Sequence, residues 1–260
     1  AYLKAFAADK DMASADPFKP VVAPANGKKV GIVGGGPAGL TAAYFLRRFG
    51  HAVTIYEAMP KLGGMLRYGI PEYRLPKAVL DAEIAEIASL GVTMKNNVKV
   101  GVDVSFSELR AAHDATLIAI GAWSNMGLRC KGEELGGVMG GIELLRKVAL
   151  GEDAGLGKNV AIVGGGNTAM DACRTAVRLG AENVYVIYRR TRDEMPAEDI
   201  EIEEAMEEGV TFNEEQMYEK YDHPIHAEYM KKGVKEGHGG MDWLVCRAFI
   251  ESVKAGIDTP

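Results

Sequence analysis

The chain has 260 residues, of which 47% are hydrophobic and 25% are charged, a composition typical of a folded globular protein. Its net charge of −6 gives no indication of a surface for nucleic acid or for an anionic membrane. No apolar run approaches the ~18 residues of a membrane span, and the N-terminal segment lacks a signal-peptide pattern.

The first half of the sequence predicts alternating strands and helices. Residues 1–27 show little periodicity and end in the turn-forming cluster Pro24–Gly27, which predicts a leader. A strand is predicted over 28–33, followed by a glycine turn and a helix that ends at Gly50. The further elements predicted in this half are strands over 52–56, 92–95, 98–102 and 116–120 and a helix over 76–90.

The pattern repeats further along the chain. Residues 126–157 are glycine-rich and contain one predicted helix over 142–150, which indicates a crossover between two units. A strand over 159–163, a second glycine turn, a helix to Leu179 and a strand over 184–188 follow. The predicted domains are a leader (1–27), a first nucleotide unit (28–125), a crossover (126–157), a second nucleotide unit (158–212) and a tail (213–260).

The first glycine turn, Gly34-Gly35-Gly36-Pro37-Ala38-Gly39, lies between a predicted strand and a predicted helix. Gly34 permits the tight bend, Gly36 lets the backbone approach a pyrophosphate, and Gly39 lets helix and strand pack closely. The helix N-terminus then supplies N–H groups for the phosphates. Glu57 closes the next strand and offers a carboxylate to a ribose diol, which predicts FAD here. A turn that serves packing alone is the alternative.

The second turn reads Gly164-Gly165-Gly166-Asn167-Thr168-Ala169, and its next strand is followed by arginines instead of a carboxylate. Arg189 and Arg190, with Arg192 close by, suit the 2′-phosphate of NADP(H). A solvated run of charge is the alternative. Strands alternating with helices around these turns predict an α/β fold of two doubly wound, Rossmann-like parallel-sheet units, followed by an irregular or helical tail.

Two further segments are candidates for contact with the first cofactor. Within residues 61–76, the pair Gly63-Gly64 lets the backbone lie against a flat ligand, and Arg74 can reach a diphosphate. A surface loop held by prolines explains the same composition equally well. The predicted strand at 116–120 ends in small residues that include Gly121, which leaves room for a ligand at the carboxyl edge of the sheet. An ordinary turn after a buried strand is the alternative there.

Catalysis by side chains is not indicated. The three cysteines, Cys130, Cys173 and Cys246, form no C-x-x-C pair, and such scattered thiols suit the reducing cytosol, so a cytoplasmic location is expected. We predict no catalytic side chain and no metal site. Hydride transfer between a nicotinamide and a flavin needs neither, because the protein only has to align the two cofactors.

Two segments place the chain near a known family. Gly63–Pro76 and Tyr188–Ala197 are close to signature sequences of the glutamate synthase small subunit. Residues from about 3 to 211 resemble the FAD- and NADPH-binding part of that subunit and of dihydropyrimidine dehydrogenase-type oxidoreductases. Members of this family pass electrons from NADPH through FAD to iron–sulfur clusters, so the resemblance implies an iron–sulfur domain or subunit as electron acceptor.

The resemblance also implies roles for individual residues. It implies contacts along the FAD for Glu57, Met65, Arg74 and Val100, and contacts to NADP for Gly166–Ala169, Arg189 and Arg190.

The sequence departs from this family at both ends. Residues 3–9 look like the last few residues of the family's cysteine-rich cluster domain, so the rest of that domain is not expected within these residues. The family's C-terminal return to the flavin domain is likewise not expected in residues 213–260. From about Asn213 the tail resembles instead the C-terminal part of an NAD-dependent glycosidase of the Gfo/Idh/MocA group, with His238 and Asp242 as candidate remnants of a sugar site.

The sequence therefore predicts an oxidoreductase module in which NADPH reduces FAD and electrons pass to an iron–sulfur partner. Two alternatives stay open at this point. The chain could bind dinucleotide without turnover, or it could be an NAD-dependent glycosidase-type enzyme whose activity depends on the tail. No nucleic-acid or membrane partner is expected, and the oligomeric state is left open, with a homo-oligomer as one option.

Overall fold

A computed structural model describes residues 2–125, 127 and 132–212. The chain divides into two compact units, of which the first comprises residues up to 128 and 145–153, and the second comprises residues 129–144 and those from 154 onward. Each unit is built around a parallel sheet with helices packed on it.

The elements of the first unit are α1 (Tyr2–Met12), β1 (Lys29–Val33), α2 (Pro37–Arg48), β2 (Ala52–Tyr56), α3 (Met65–Tyr68), α4 (Lys77–Ser89), β3 (Thr93–Lys95), α5 (Phe106–Ala112) and β4 (Ala115–Ile118). Helix α6 (Gly141–Ala149) follows, with residues in both units. The second unit contains β5 (Asn159–Val163), α7 (Asn167–Arg178), β6 (Asn183–Ile187), a 3₁₀ turn (Arg192–Glu194), α8 (Asp199–Glu207) and β7 (Thr211–Phe212).

The first sheet has the strand order β3-β2-β1-β4, and every pair is parallel. The central strands β1 and β2 are apolar on both faces, as expected of parallel strands that are covered on both sides. Ile32 and Ile55 are completely buried and pack with Leu40 and Ala43 of α2. Helix α2 begins after the extended Gly36 with Pro37 in its first turn, where the missing N–H of proline costs no hydrogen bond.

The second sheet has the order β5-β6-β7, again parallel. Its core is formed by Met170, Cys173 and Ala176 of α7 against Val184 and Val186 of β6. Burial raises the pKa of the Cys173 thiol to about 12, so this cysteine stays protonated and unreactive at neutral pH.

The alternation of strands and helices and the parallel sheets confirm the predicted fold class. Strand β2 and strand β5 have the predicted bounds. The strand predicted over 98–102 is wrong: these residues form a turn with a single bridge from Val100 to Val104. Gly101 has a left-handed backbone there, and the Lys99 N–H donates to the Asp103 carboxylate, so two local features override the apolar alternation.

Several other elements differ from the sequence-based expectation. Helix α1 was not predicted because its apolar residues, such as Leu3 and Phe6, are exposed and do not define a buried face. Helices α5 and α8 were also missed, although the capping box of Ser105 and Glu108 marks the start of α5. Strand β4 ends at Ile118, two residues earlier than predicted. Among the described residues, no helix is long and apolar enough to cross a membrane.

A charged network joins α7 to α8 in the second unit. The buried Arg174 guanidinium donates to Glu201 at 2.9 Å, Glu204 at 2.6 Å and Glu208 at 2.8 Å. Arg178 also pairs with Glu208. A buried cation is costly unless carboxylates surround it, so this network fixes α8 against α7.

The network predicts an acid-sensitive contribution to stability. Hydrogen bonding from Arg178, followed by that from Arg174, holds the pKa of Glu208 at about 2, below its ordinary value of 4.5. A carboxyl group whose pKa is lowered by folding stabilises the fold above its unfolded pKa, and that contribution disappears as the pH falls from about 4.5 towards 2.

We expect Glu208→Gln to lose stability at pH 7 and to show a shallower decline than wild type over this range, measured as the free energy of unfolding in urea. Glu207→Gln, an exposed neighbour on the same helix, is the control, and an unchanged pH profile for Glu208→Gln would contradict the assignment.

Candidate functional site

The first glycine turn connects β1 to α2, and at two of its glycines a side chain would collide with the backbone. Gly34 has φ +103°, and a Cβ atom there would lie 2.4 Å from the Ala119 carbonyl oxygen. A Cβ atom on Gly39 would lie 2.0 Å from the Gly34 carbonyl oxygen. These two positions therefore exclude a side chain for reasons internal to the fold.

Gly36 lies in a different environment. Its backbone is extended, with φ −77°, and the nearest atom to a Cβ there is the Gly64 Cα at 3.7 Å, an ordinary contact. An alanine would fit the fold, so the absence of a side chain leaves space beside the first turn of α2. The N–H groups of Ala38 and Gly39 in that first turn have no partner within the helix. This open space beside helical N–H groups fits a pyrophosphate.

Glu57, which directly follows β2, contacts the same turn. Its side chain is buried, and its two carboxylate oxygens accept the Gly35 N–H at 2.7 Å and the Met59 N–H at 2.8 Å. Each oxygen of a carboxylate has a further lone pair, so Glu57 can also accept hydrogen bonds from a ribose diol. Glu57, which is predicted to bind the ribose, is therefore also a structural link between the turn and the loop after β2.

The segment 61–76 packs on the first turn instead of forming a separate surface loop. The Gly63 N–H donates to the Gly35 carbonyl at 2.8 Å, and Gly64 lies against Gly36 before α3 begins at Met65. Arg74 is half-buried in the same segment. The structure thus places Gly64 against Gly36 of the turn, and the cofactor contacts of Gly64, Met65 and Arg74 stay predictions.

Lys77, which sequence reasoning did not identify, holds this segment in shape. Its ammonium group donates to the carbonyl oxygens of Leu66 at 3.1 Å, Ile70 at 2.7 Å and Leu75 at 3.0 Å. Three carbonyls that converge on one ammonium fix the backbone of the turn that carries Arg74. No local sequence pattern marks a lysine for this role.

The carboxyl edge of the sheet contains the other predicted residues. Gly121 is exposed in the loop after β4 and has φ +71°. Val100 is half-buried in the turn that follows β3. Sequence reasoning missed an aromatic pair at this edge. The centroid of the Trp123 ring lies 6.1 Å from the centroid of the buried Tyr68 ring.

The second turn has the same backbone plan. Gly164 has φ +142° and donates its N–H to the Ile187 carbonyl at 3.0 Å, just as Gly34 donates to Tyr56 at 2.9 Å. Ala169 replaces the third glycine, and its methyl group lies 3.6 Å from where a Cβ on Gly164 would be.

Gly166 resembles Gly36, because its nearest neighbour is Pro196 at 3.9 Å and an alanine would fit. The first two residues of α7, Asn167 and Thr168, are exposed at its N-terminus. A second open space beside helical N–H groups is therefore present, and it fits a second pyrophosphate.

The arginines lie beyond the residue that corresponds to Glu57. Strand pairing aligns Val33 with Tyr56 in one sheet and Val163 with Ile187 in the other. The position after the second strand is therefore occupied by Tyr188, whose ring lies against Gly165.

Arg189 and Arg190 follow Tyr188 and are exposed. Within the described part of the chain, neither guanidinium has a carboxylate partner. Their charge is therefore available to an anion at the second turn.

The loop that carries the arginines is attached to the second turn. The Ala197 N–H donates to the Gly165 carbonyl at 3.0 Å, and the Glu198 N–H donates to the Asn167 side-chain oxygen at 3.0 Å. The predicted cofactor residue Asn167 therefore already makes one contact within the protein. Since β5 and β6 are parallel, the turn that follows β5 and the arginines that follow β6 lie at the same edge of the second sheet.

Comparison with known proteins agrees with this architecture. The sequence model of the family described as pyridine nucleotide-disulphide oxidoreductase matches residues 28–241. The NADP(+)-dependent formate dehydrogenase subunit beta of Moorella thermoacetica is 51% identical over 191 residues, which is 72% of this chain and 27% of that protein. The glutamate synthase [NADPH] small chain of Azospirillum brasilense is 40% identical over 198 residues, or 72% of this chain and 41% of that protein.

A third relative is the NADPH-Fe(3+) oxidoreductase subunit beta of Geobacter sulfurreducens, which is 45% identical over 204 residues, 76% of this chain and 30% of that protein. The chain thus spans less than half the length of the curated relatives it matches. Among solved structures, FprA of Mycobacterium tuberculosis in complex with NADPH has a TM-score of 0.59 at 23% identity and covers 72% of this chain and 48% of that one. At this identity the likeness concerns the fold.

These relatives confirm the predicted resemblance to the glutamate synthase small subunit. The family match runs across the predicted boundary at residue 213 and on to residue 241. The predicted likeness of residues 213–260 to a glycosidase finds no support among these relatives, and those residues, with His238 and Asp242, lie outside the described part of the structure.

The position of Glu57 leads to a stability prediction that does not depend on any ligand. In Glu57→Gln, the amide nitrogen must face either the Gly35 or the Met59 N–H, so one backbone donor loses its acceptor. An unsatisfied buried donor costs about 1–3 kcal/mol, and we expect the free energy of unfolding in urea to fall by that amount. The exposed Glu83→Gln on α4 is the matched control. Equal stability of Glu57→Gln and wild type would show that these two bonds contribute nothing to the fold.

Proposed function

Because the chain belongs to the pyridine nucleotide-disulphide oxidoreductase family, we propose that it transfers a hydride from NADPH to FAD and delivers the electrons to an iron–sulfur partner. Family membership confirms the predicted enzyme class and the predicted cofactors, FAD and NADP(H). The proposal assigns FAD to the first turn and NADPH to the second.

The opposite charge at the two turns is the observation that supports this assignment. A carboxylate, Glu57, lies at the first turn, and two guanidinium groups, Arg189 and Arg190, follow the equivalent strand in the second unit. A carboxylate accepts hydrogen bonds from the 2′- and 3′-hydroxyls of a ribose, whereas it would repel a 2′-phosphate. Arginine instead donates charge-assisted bonds to that phosphate.

The proposed roles of the protein's residues follow from this geometry. The space beside Gly36 and Gly64 admits a pyrophosphate, the N–H groups of Ala38 and Gly39 donate to it, and Glu57 accepts from the ribose. Residues farther along the same edge of the sheet would line the remainder of the flavin, and these are Met65, Arg74, Val100 and Gly121.

At the second turn, Gly166 leaves the space, the Thr168 N–H meets the phosphates, and Asn167 lies beside it. The Ala169 N–H donates to the Gly166 carbonyl at 2.8 Å, so Ala169 contributes through its backbone position. The flavin supplies the hydride-accepting chemistry when it is bound. The protein contributes alignment and electrostatics.

The partner is inferred from the names of the relatives. Two of them are β subunits and a third is a small chain, so these proteins work within assemblies. Iron–sulfur clusters accept single electrons, and a reduced flavin can release its two electrons one at a time. The proposal therefore places an iron–sulfur domain or subunit next to this module, in the cytoplasm, the location that the scattered cysteines favour.

An absorbance spectrum of the purified chain tests this function directly. We expect a flavin absorption band that bleaches when NADPH is added anaerobically. Gly36→Ala should fold like wild type but lose the flavin band, because the added methyl group fits the fold and occupies the proposed pyrophosphate space. Gly157→Ala, where no atom lies within 4 Å of the new methyl group, is the control and should retain the band.

Two results would count against the proposal. A colourless wild-type protein that still binds NADPH would indicate a dinucleotide-binding module without turnover. A Gly36→Ala protein with a normal flavin content would mean that FAD does not lie on the first turn.

The arginines predict a preference between the two nicotinamide nucleotides. A hydrogen bond to a charged group contributes about 1.5–3 kcal/mol, so Arg189→Ala should weaken NADPH binding roughly 10–100-fold and leave NADH binding nearly unchanged. Titration of both nucleotides into wild type, Arg189→Ala and the surface control Arg110→Ala measures the effect. Equal losses for NADPH and NADH would exclude a contact with the 2′-phosphate.

A further inference from the structure

The loop over residues 189–198, called the arginine loop below, is held at its far end. Its first part carries Arg189 and Arg190, which are exposed. Its last part is fixed to the second turn by two hydrogen bonds, from Ala197 N–H to the Gly165 carbonyl and from Glu198 N–H to the Asn167 side chain, both at 3.0 Å. The geometry of the charged part therefore depends on these anchors.

Between the anchors and the arginines, the loop has a defined internal structure. Thr191 and Glu194 form a capping box around the 3₁₀ turn, and the Tyr188 hydroxyl donates to the Glu194 carbonyl at 3.4 Å. The buried Ala197 belongs to the core of the second unit. The loop thus has enough internal order for the anchor at Glu198 to restrict the positions of the arginine side chains.

Asn167 is oriented unambiguously by its partner. It is the first residue of α7, and the Glu198 N–H can only donate, so the acceptor is the amide oxygen of Asn167. The NH₂ group of the same side chain then points away from the loop. The amide oxygen of Asn167 therefore already accepts a hydrogen bond from within the protein.

We propose that Asn167 is a positioning residue that sets the preference for NADPH over NADH by holding the arginine loop beside the second turn. This inference rests on the proposed function of the second turn. Without the Asn167 oxygen, Glu198 loses its acceptor and the loop keeps one polar bond to the turn. The guanidinium groups then spend less time where a 2′-phosphate would meet them, while the phosphates common to NADPH and NADH still meet the helix N-terminus.

The bond itself is tested without any nucleotide. Hydrogen exchange of the Glu198 amide should be roughly three- to tenfold faster in Asn167→Ala than in wild type, the effect of losing one ordinary hydrogen bond. Asn167→Asp retains an oxygen acceptor and should restore the protection. Asn183→Ala is the matched control, because it removes a side-chain bond to Asn159 at the start of β6 in the same unit. Unchanged exchange at Glu198 in Asn167→Ala would overturn the inference.

The effect on specificity is tested by a double-mutant cycle. Asn167→Ala should weaken NADPH binding roughly three- to tenfold and change NADH binding less than twofold. In a background that carries both Arg189→Ala and Arg190→Ala, the same substitution should have no further effect on the NADPH preference. The reason is that Asn167 affects this preference only through the arginines. Equal losses for both nucleotides, or an undiminished effect in the background without the arginines, would show that Asn167 contacts the shared part of the nucleotide and does not act through the loop.

Failure of the proposed function has a different signature. If the protein without both arginines keeps the wild-type preference, the assignment of the 2′-phosphate is wrong. If wild type binds neither nucleotide, the proposed function and the role of Asn167 in specificity both fall, although exchange at Glu198 still reports the bond.

Discussion

One backbone hydrogen bond in each unit joins the glycine turn to the loop that follows the second strand. The middle glycine of each turn accepts it: Gly35 from the Gly63 N–H at 2.8 Å, and Gly165 from the Ala197 N–H at 3.0 Å. Side chains from the same loop region then cover the middle glycine, with Leu62 in the first unit and Tyr188 in the second. The residues proposed to discriminate between riboses belong to the same loop regions, so these bonds help to fix their positions.

Within this shared plan, the two units distribute charge differently. In the first unit the charged residue Glu57 is buried and satisfies two backbone donors, so its proposed recognition role would be combined with a structural one. In the second unit the aromatic Tyr188 takes the equivalent position and the neutral amide of Asn167 makes the polar link to the loop. Among the residues that the structure describes, Arg189 and Arg190 make no ion pair, and they lie at the surface, where a doubly charged phosphate could approach without a large desolvation cost.

The sequence predicted the parts of this arrangement that depend on local pattern. Strands β1, β2 and β5 are short apolar runs next to glycine turns, and both their type and their place in parallel sheets are confirmed. The link between Asn167 and Glu198 was not predictable, because it joins residues 31 positions apart through the packing of α7 on the second sheet.

The same limit applies to two other features. The ammonium group of Lys77 meets three carbonyls only after the chain has folded around it. At 98–102, the alternating pattern pointed to the wrong element, because the left-handed Gly101 and the Asp103 carboxylate define a turn.

The glycines themselves separate what folding requires from what a ligand requires. At Gly34, Gly35 and Gly39, a Cβ atom would come within 2.0–2.7 Å of a neighbouring atom, so the fold alone explains the absence of a side chain. At Gly36 and Gly166 the nearest atoms are 3.7 and 3.9 Å away, and the backbone angles suit any residue. Folding therefore gives no reason for glycine at either position. Both lie beside the N-terminus of a helix, where N–H groups such as those of Ala38 and Thr168 lack an acceptor one turn earlier, so the proposed close approach of a pyrophosphate would supply the missing reason in both units.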